Sequence, residues 1–148
     1  MAGRIEIYTD GGSRGNPGNA ASAFVIFDEK NSIIHEYAEY IGKNTNNVAE
    51  YTALINALTY AKDLKTSEVT CFSDSEVMVK QINGQYKINA AHLKELNLKV
   101  KALASKFKKI TFKNLRRSDE KIARADALVN ECLDRNENNM LSFSGNDL

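Results

Sequence analysis

The stretch IYTDGGSRGNPG, Ile7 to Gly18, settles how the chain begins. With Ile5 before it, Ile7 and Tyr8 give the apolar character of a β-strand over about 4–10, ending at Thr9-Asp10. Four glycines, one proline and one asparagine then fall within eight residues, a composition that ends a strand and turns the chain. An aspartate delivered from a strand into glycine is open to three readings: a plain turn, a phosphate cradle, or one ligand of a metal site completed from far along the chain. No GK[ST] follows, so this is not a P-loop. Gly11-Gly12-Ser13-Arg14-Gly15-Asn16 neither spells GxGxxG nor opens a helix, so it is not a dinucleotide fingerprint. The turn and the metal ligand remain.

Outward from this stretch, AASAFVIFD reads as a second strand (about 20–28) and SIIHEYAEYIG as a third (about 32–42). In the third, Ile34, Glu36, Ala38 and Tyr40 alternate with His35, Tyr37, Glu39 and Ile41. Glu29-Lys30-Asn31 joins the two as a hairpin turn. A helix follows over about 47–63, a fourth strand over about 68–74, a short helix over about 75–83 stopping at Asn83-Gly84, and a longer helix over about 90–107. The fifth strand is KITFKNL, about 109–115, and a last helix covers about 121–135. Strands followed by alternating helices and strands predict an α/β fold on a mixed sheet, its first three strands an antiparallel meander. In such sheets, sites form where strand ends and helix ends meet.

At 148 residues the chain suits one domain, expected over 1–135, with a polar, fraying tail over 136–148. Hydrophobic residues make up 43% and charged residues 26%, the balance of a soluble globular protein. No apolar run approaches a membrane span, and MAGRIEIYTD carries no signal h-region. Cys71 sits in an apolar strand and reads as a small buried hydrophobe rather than half of a disulfide. These features lead to the expectation of a cytoplasmic protein, with nothing that demands more than a monomer. Charge is uneven: Lys94 to Arg117 holds nine Lys or Arg against the single acid Glu95, while the whole chain carries only +1. Such a stripe suits a polyanionic partner or, equally, a solvated helix face.

Four carboxylates stand at element ends. Asp10 ends strand one and Asp74 ends strand four; if those strands are parallel neighbours, both acids emerge at one sheet edge. Asp74 also reads as a helix-entry residue, with Ser75 as N-cap. Asn47 and Glu50 match a capping box. Yet Leu54, Ala57, Leu58 and Ala61 share a helical face with Glu50, where an acid is costly unless something pairs with it. Asp126 likewise shares a stripe with Val129 and Leu133, though a carboxylate near a helix N-terminus is favoured anyway. Oxygen-only ligands suit Mg²⁺ or Mn²⁺ rather than Zn²⁺. His35 and His92 are the only histidines, and neither stands beside a nucleophile. Clustered carboxylates holding two divalent ions are the usual equipment for in-line attack of water on a phosphodiester.

Four segments in this order resemble the type 1 ribonuclease H family over about residues 4–134: Tyr8-Thr9-Asp10-Gly11-Gly12 with Gly15-Asn16-Pro17-Gly18; Thr45-Asn46-Asn47-Val48-Ala49-Glu50-Tyr51; Ser73-Asp74-Ser75; and Ala125-Asp126-Ala127-Leu128. The resemblance implies a five-stranded mixed sheet flanked by helices, and hydrolysis of the RNA strand of an RNA–DNA hybrid to 3′-hydroxyl and 5′-phosphate ends. It implies that Asp10, Glu50, Asp74 and Asp126 hold two Mg²⁺. It also implies that the Gly11 backbone, Asn16, Thr45 and Asn46, with Asn47 beside them, grip the hybrid, and that the glycines keep room for its backbone. Sequence departures are Glu76 where relatives often carry glutamine, and no histidine in the loop before Asp126, where Arg116 or Arg117 would substitute. The stretch from Gln85 to Lys109 is short and lacks tryptophan, and the chain is expected to be the catalytic domain alone. The same fold also serves silent nucleic-acid binding modules and DNA-cutting carboxylate nucleases. Cleavage of double-stranded RNA stays open.

Overall fold

In the computed structural model, which describes residues 3–146 and side chains 3–139, the first strand, β1 (Arg4–Arg14), is apolar on both faces of its pleat. Ile5 and Ile7 point into one buried cluster and Tyr8 into another. A strand of this kind has to lie mid-sheet with helices on both sides. β1 is the middle of five strands in the order β3-β2-β1-β4-β5. β2 (Gly18–Phe27) and β3 (Ile33–Asn44) form the expected antiparallel meander with it. β4 (Glu68–Ser73) and β5 (Lys109–Asn114) join in parallel on its other side. The hairpin at Glu29-Lys30-Asn31 is closed by Asp28, whose Oδ1 accepts from the Lys30 and Ser32 N–H groups at 2.8 and 3.0 Å.

One face is covered by α1 (Asn46–Ala61), α2 (Glu76–Ile82) and α3 (Ala91–Ala104), packed on Ile5, Ile7, Phe24 and Val69. The other is covered by α4 (Glu120–Asn146), which lays Ile122 and Ala125 on Tyr8 and Val25, and Val129 and Leu133 on the small residues Ala21 and Ala23. Cys71 is buried, as its strand position predicts, and burial pushes its thiol pKa up. Lys94, Lys99 and Lys101 are exposed along α3.

The structure departs from the sequence reading in three places. β1 does not end at Asp10 but pairs with β2 as far as Arg14↔Asn19, so only Gly15 to Pro17 turn the chain. Within this longer strand, a Cβ at Gly11 would lie 2.3 Å from the Ala49 carbonyl carbon and 2.4 Å from the Glu50 nitrogen. The glycine is needed because α1 lands on the strand, and the space on its Cβ side is filled by the protein's own backbone. Second, α1 is capped by Thr45, not Asn47. Thr45 is extended, and its hydroxyl accepts from the Val48 N–H at 3.2 Å. Glu50 therefore serves no capping box. Third, α4 continues from the expected end near 135 to Asn146, there being no proline or glycine before Gly145 to stop it. The side chains of the rest of the expected tail, from 140 on, lie outside the described residues.

Candidate active site and metal centre

The parallel register of β1 and β4 sets Thr9 beside Ser73, so Asp10 and Asp74 emerge together at one edge. α1, seated on Gly11, brings Glu50 to the same point. One carboxylate oxygen from each of Asp10, Glu50 and Asp74 lies within 4.8 Å of the others. Asp10 is 4% exposed and Glu50 7%, and the Asp74 side chain 11%. Asp126 comes from the second turn of α4 and is half-buried. It is hydrogen-bonded to Asp10 and accepts from Asn130 Nδ2 at 3.3 Å, but stands outside the tight group of three. The four acids line one open cleft of about 410 Å³.

Crowding acids in a poorly solvated place raises their pKa values. Asp10 is pushed up to about 8, first by burial, then by Asp74 and by its hydrogen bond with Asp126; the Gly11 N–H opposes this. Glu50 is pushed well above the usual carboxyl range by burial, then by Asp10 and Asp74, again opposed by Gly11. The Gly11 amide is thus turned to the acids. These are oxygen donors alone, and a hard divalent ion fits such a set. Asp10, Glu50 and Asp74 are the residues that would hold it, with Asp126 alongside.

The other expected residues divide. Arg117 reaches the cleft, its Nε donating to Asp74 Oδ2 at 3.3 Å from an exposed side chain; Arg116 is exposed but does not line the cleft. Asn46 lines it. Its Oδ1 accepts from the Ser13 N–H at 2.8 Å and from Ser13 Oγ at 3.0 Å, and its own N–H donates to Asn16 Oδ1 at 3.0 Å. Asn16 and Asn46 therefore lock the β1–β2 turn to the start of α1. Thr45 is occupied as the cap, and Asn47 is exposed in the first turn.

Three residues escaped the sequence reading. Ser73 Oγ donates to Glu50 Oε2 at 3.4 Å and accepts from the Ser75 N–H at 3.0 Å, orienting the buried acid; its place on the inward side of β4, after Val69 and Cys71, was the available signal. Asn130 lies four residues after Asp126, one helical turn on. Arg14 ties the end of β1 to α4 through Asp134 at 2.7 Å and Glu137 at 2.8 Å; nothing local in sequence marks those partners.

This sheet order, with acids at the ends of β1 and β4 and on the helices over each face, defines a ribonuclease H-like α/β protein. The family model described as "Reverse transcriptase-like" matches residues 8–132. Ribonuclease HI of Halobacterium salinarum is 38% identical over 132 residues, 89% of this chain and 65% of that protein. A bifunctional protein of Mycobacterium tuberculosis is 37% identical over 132 residues, 88% of this chain and 36% of its own length. The chain thus spans between about a third and two thirds of these curated relatives. The crystal structure of the Halobacterium salinarum RNase H1 matches with a TM-score of 0.85, covering 90% of this chain and 99% of that one. LC11-RNase H1, solved in complex with an RNA/DNA hybrid, matches at 45% identity and a TM-score of 0.82, over 88% of this chain and 97% of that one. The chain belongs to the type 1 ribonuclease H family.

Proposed function

We propose that the protein is an endoribonuclease that hydrolyses the RNA strand of RNA–DNA hybrids, leaving 3′-hydroxyl and 5′-phosphate ends. The observation that carries this reading is the convergence of Asp10, Glu50 and Asp74 within 4.8 Å at the floor of an open cleft. Two Mg²⁺, replaceable by Mn²⁺, would be held by these three acids and Asp126, supplying the Lewis acidity that activates water and steadies the leaving 3′-oxygen.

The chain's own residues do the rest. Asp10 and Glu50, held by β1, α1 and Ser73, present fixed oxygens whose charge is poorly solvated and so attracts a cation strongly. Asp74, paired with exposed Arg117, keeps a cation at the mouth of the cleft, where the guanidinium can meet a phosphate. Asn46 and Asn16 have committed their carbonyl oxygens within the protein, which leaves their amide N–H groups for a sugar-phosphate backbone. Thr45, Asn47 and the Gly11 carbonyl complete that edge. Contacts of this kind position a duplex without reading sequence, and 2′-hydroxyls in the wide minor groove distinguish the RNA strand. The exposed lysines of α3 add a sequence-independent, salt-dependent attraction.

The test is cleavage of an end-labelled RNA–DNA hybrid, with duplex RNA and duplex DNA alongside, in Mg²⁺, in Mn²⁺ and in EDTA. Metal-dependent cutting of the hybrid's RNA strand is expected. Additional cutting of duplex RNA would widen the substrate class. Hybrid bound but uncut in both metals would make the protein a binding module.

A further inference from the structure

The far end of α1 carries a second built surface, unrelated to the acids. Its floor is Phe24 of β2, 2% exposed. Three rings surround that floor: His35, Tyr37 and Tyr60, with centroids 5.8, 6.0 and 6.2 Å from Phe24 and planes tilted by 45°, 46° and 41°. His35 and Tyr60 stack on each other at 4.1 Å and 8°, so His35, on the edge strand β3, is half of an aromatic wall. Tyr37 and Tyr60 remain 44% and 37% exposed. Together they form a groove of about 430 Å³ between α1 and β3, at the edge of the sheet.

The charges in this groove are of one sign. Glu39 is held in place by Asn56 Nδ2 at 2.7 Å and Tyr37 Oη at 3.0 Å, each donating to a different carboxylate oxygen. The Asp63 carboxylate lines the groove with no hydrogen bond or ion pair among the described residues. No lysine or arginine lines it. Exposed π-faces beside two carboxylates complement a flat cation, and among side chains the guanidinium, weakly hydrated and able to stack, fits best. The same carboxylates repel the phosphates of a nucleic acid and the carboxylates of an acidic peptide.

We infer that the groove between α1 and β3 docks an arginine-bearing segment of a partner protein, the guanidinium stacking between Tyr37 and the His35–Tyr60 pair and meeting Glu39 and Asp63. The unpaired outer edge of β3 offers main-chain groups to the same segment. Tyr60 lies roughly 15 Å along α1 from Glu50, at ~1.5 Å per residue, so an occupied groove leaves the cleft open. This inference is independent of the catalytic reading.

The test is an NMR titration of the full chain with the capped peptide Gly-Ile-Arg-Ile-Gly, its counterpart with glutamate in place of arginine, and a short RNA–DNA hybrid. With the arginine peptide, saturable amide shifts are expected at 35–39 and 56–63, with a Kd on the order of 1 mM or tighter. The double variant Glu39→Gln/Asp63→Asn, its spectrum otherwise unchanged, should weaken binding about tenfold, roughly the loss of one charge-assisted contact. Tyr60→Ala should do the same by removing one wall. Equal shifts from the glutamate peptide, shifts from the hybrid at the same amides, arginine-peptide shifts confined to the neighbourhood of Asp10 and Asp74, or no saturable shift would each overturn the inference.

Discussion

Asp10 and Glu50 differ from Asp74 and Asp126 in their medium rather than their chemistry. The first two are buried between β1 and α1, and their pKa values are raised mainly by the loss of water. The second two face the cleft, each with a neutral or cationic neighbour of its own, Asn130 for Asp126 and Arg117 for Asp74. The buried pair is unfavourable without a cation, and so demands one; the outer pair opens onto the cleft, and so adjusts it. Asp74 belongs to both groups, close to the buried pair in space yet open to Arg117.

The sharpest way to break this comparison is Asp10→Asn. It should lower hybrid cleavage on the order of a thousandfold or more, about 4 kcal/mol of transition-state stabilisation, while raising the melting temperature of the metal-free protein near neutral pH, because a carboxyl whose ionised form the fold disfavours has gone. Turnover near that of the parent would remove the buried pair from the chemistry. Gly11→Ala attacks the same pair through the backbone. With 2.3 Å to the Ala49 carbonyl carbon, α1 must shift, at a cost of about 1–3 kcal/mol, read as a drop of several degrees in thermal unfolding. An unchanged melting temperature would show that α1 is not seated on β1 as described. Asp126→Asn should cost only about tenfold in rate, about 1.4 kcal/mol, and keep the fold; a loss equal to that of Asp10→Asn would merge the two pairs.

The least direct probe of the comparison is the pH dependence of metal-free stability. Asp10 titrates at 3.8 when unfolded and is pushed up to about 8 in the fold. Below about 4 both states are protonated, and above about 8 both are ionised. Between them the folded chain keeps a proton that the unfolded chain has released. Metal-free stability should therefore fall as pH rises through this window, with Glu50 adding to the same slope. Melting curves at pH 5 and pH 8 should differ by a few degrees without divalent ions and converge in Mg²⁺. Asp10→Asn should flatten the slope and Asp126→Asn should leave most of it.

All four acids were legible in the sequence because strand ends and helical spacing place a side chain before any tertiary contact is known. That β1 and β4 are parallel neighbours was a condition of that reading, and the register of the sheet meets it. What was illegible depended on contacts between distant segments. Gly11 looked like part of a turn because the helix that lands on it lies far along the chain. Asn47 with Glu50 matched the capping box in sequence, whereas Thr45 has Val48 three residues on; the extended backbone of Thr45 and its bond from the Val48 N–H make it the cap. Arg116 and Arg117 are equivalent as letters; the loop geometry sends the second to Asp74. The aromatic groove was invisible for the same reason, since Phe24, Tyr37 and Tyr60 come from three elements and each reads singly as ordinary core or surface.

The tie from Arg14 to α4 sets a schedule for biosynthesis. Arg14 leaves the ribosome early, yet one of its guanidinium contacts, the Asn130 carbonyl, lies 116 residues later, and Asp10 waits as long for Asp126. A nascent chain can close the β1–β2–β3 meander on its own, but the central strand then lacks its parallel neighbour and the helix over its second face. An emerging protein of this topology carries its acids as scattered, solvated carboxylates until the last helix docks. On the proposed function, an interrupted translation product would leave the hybrids around it intact.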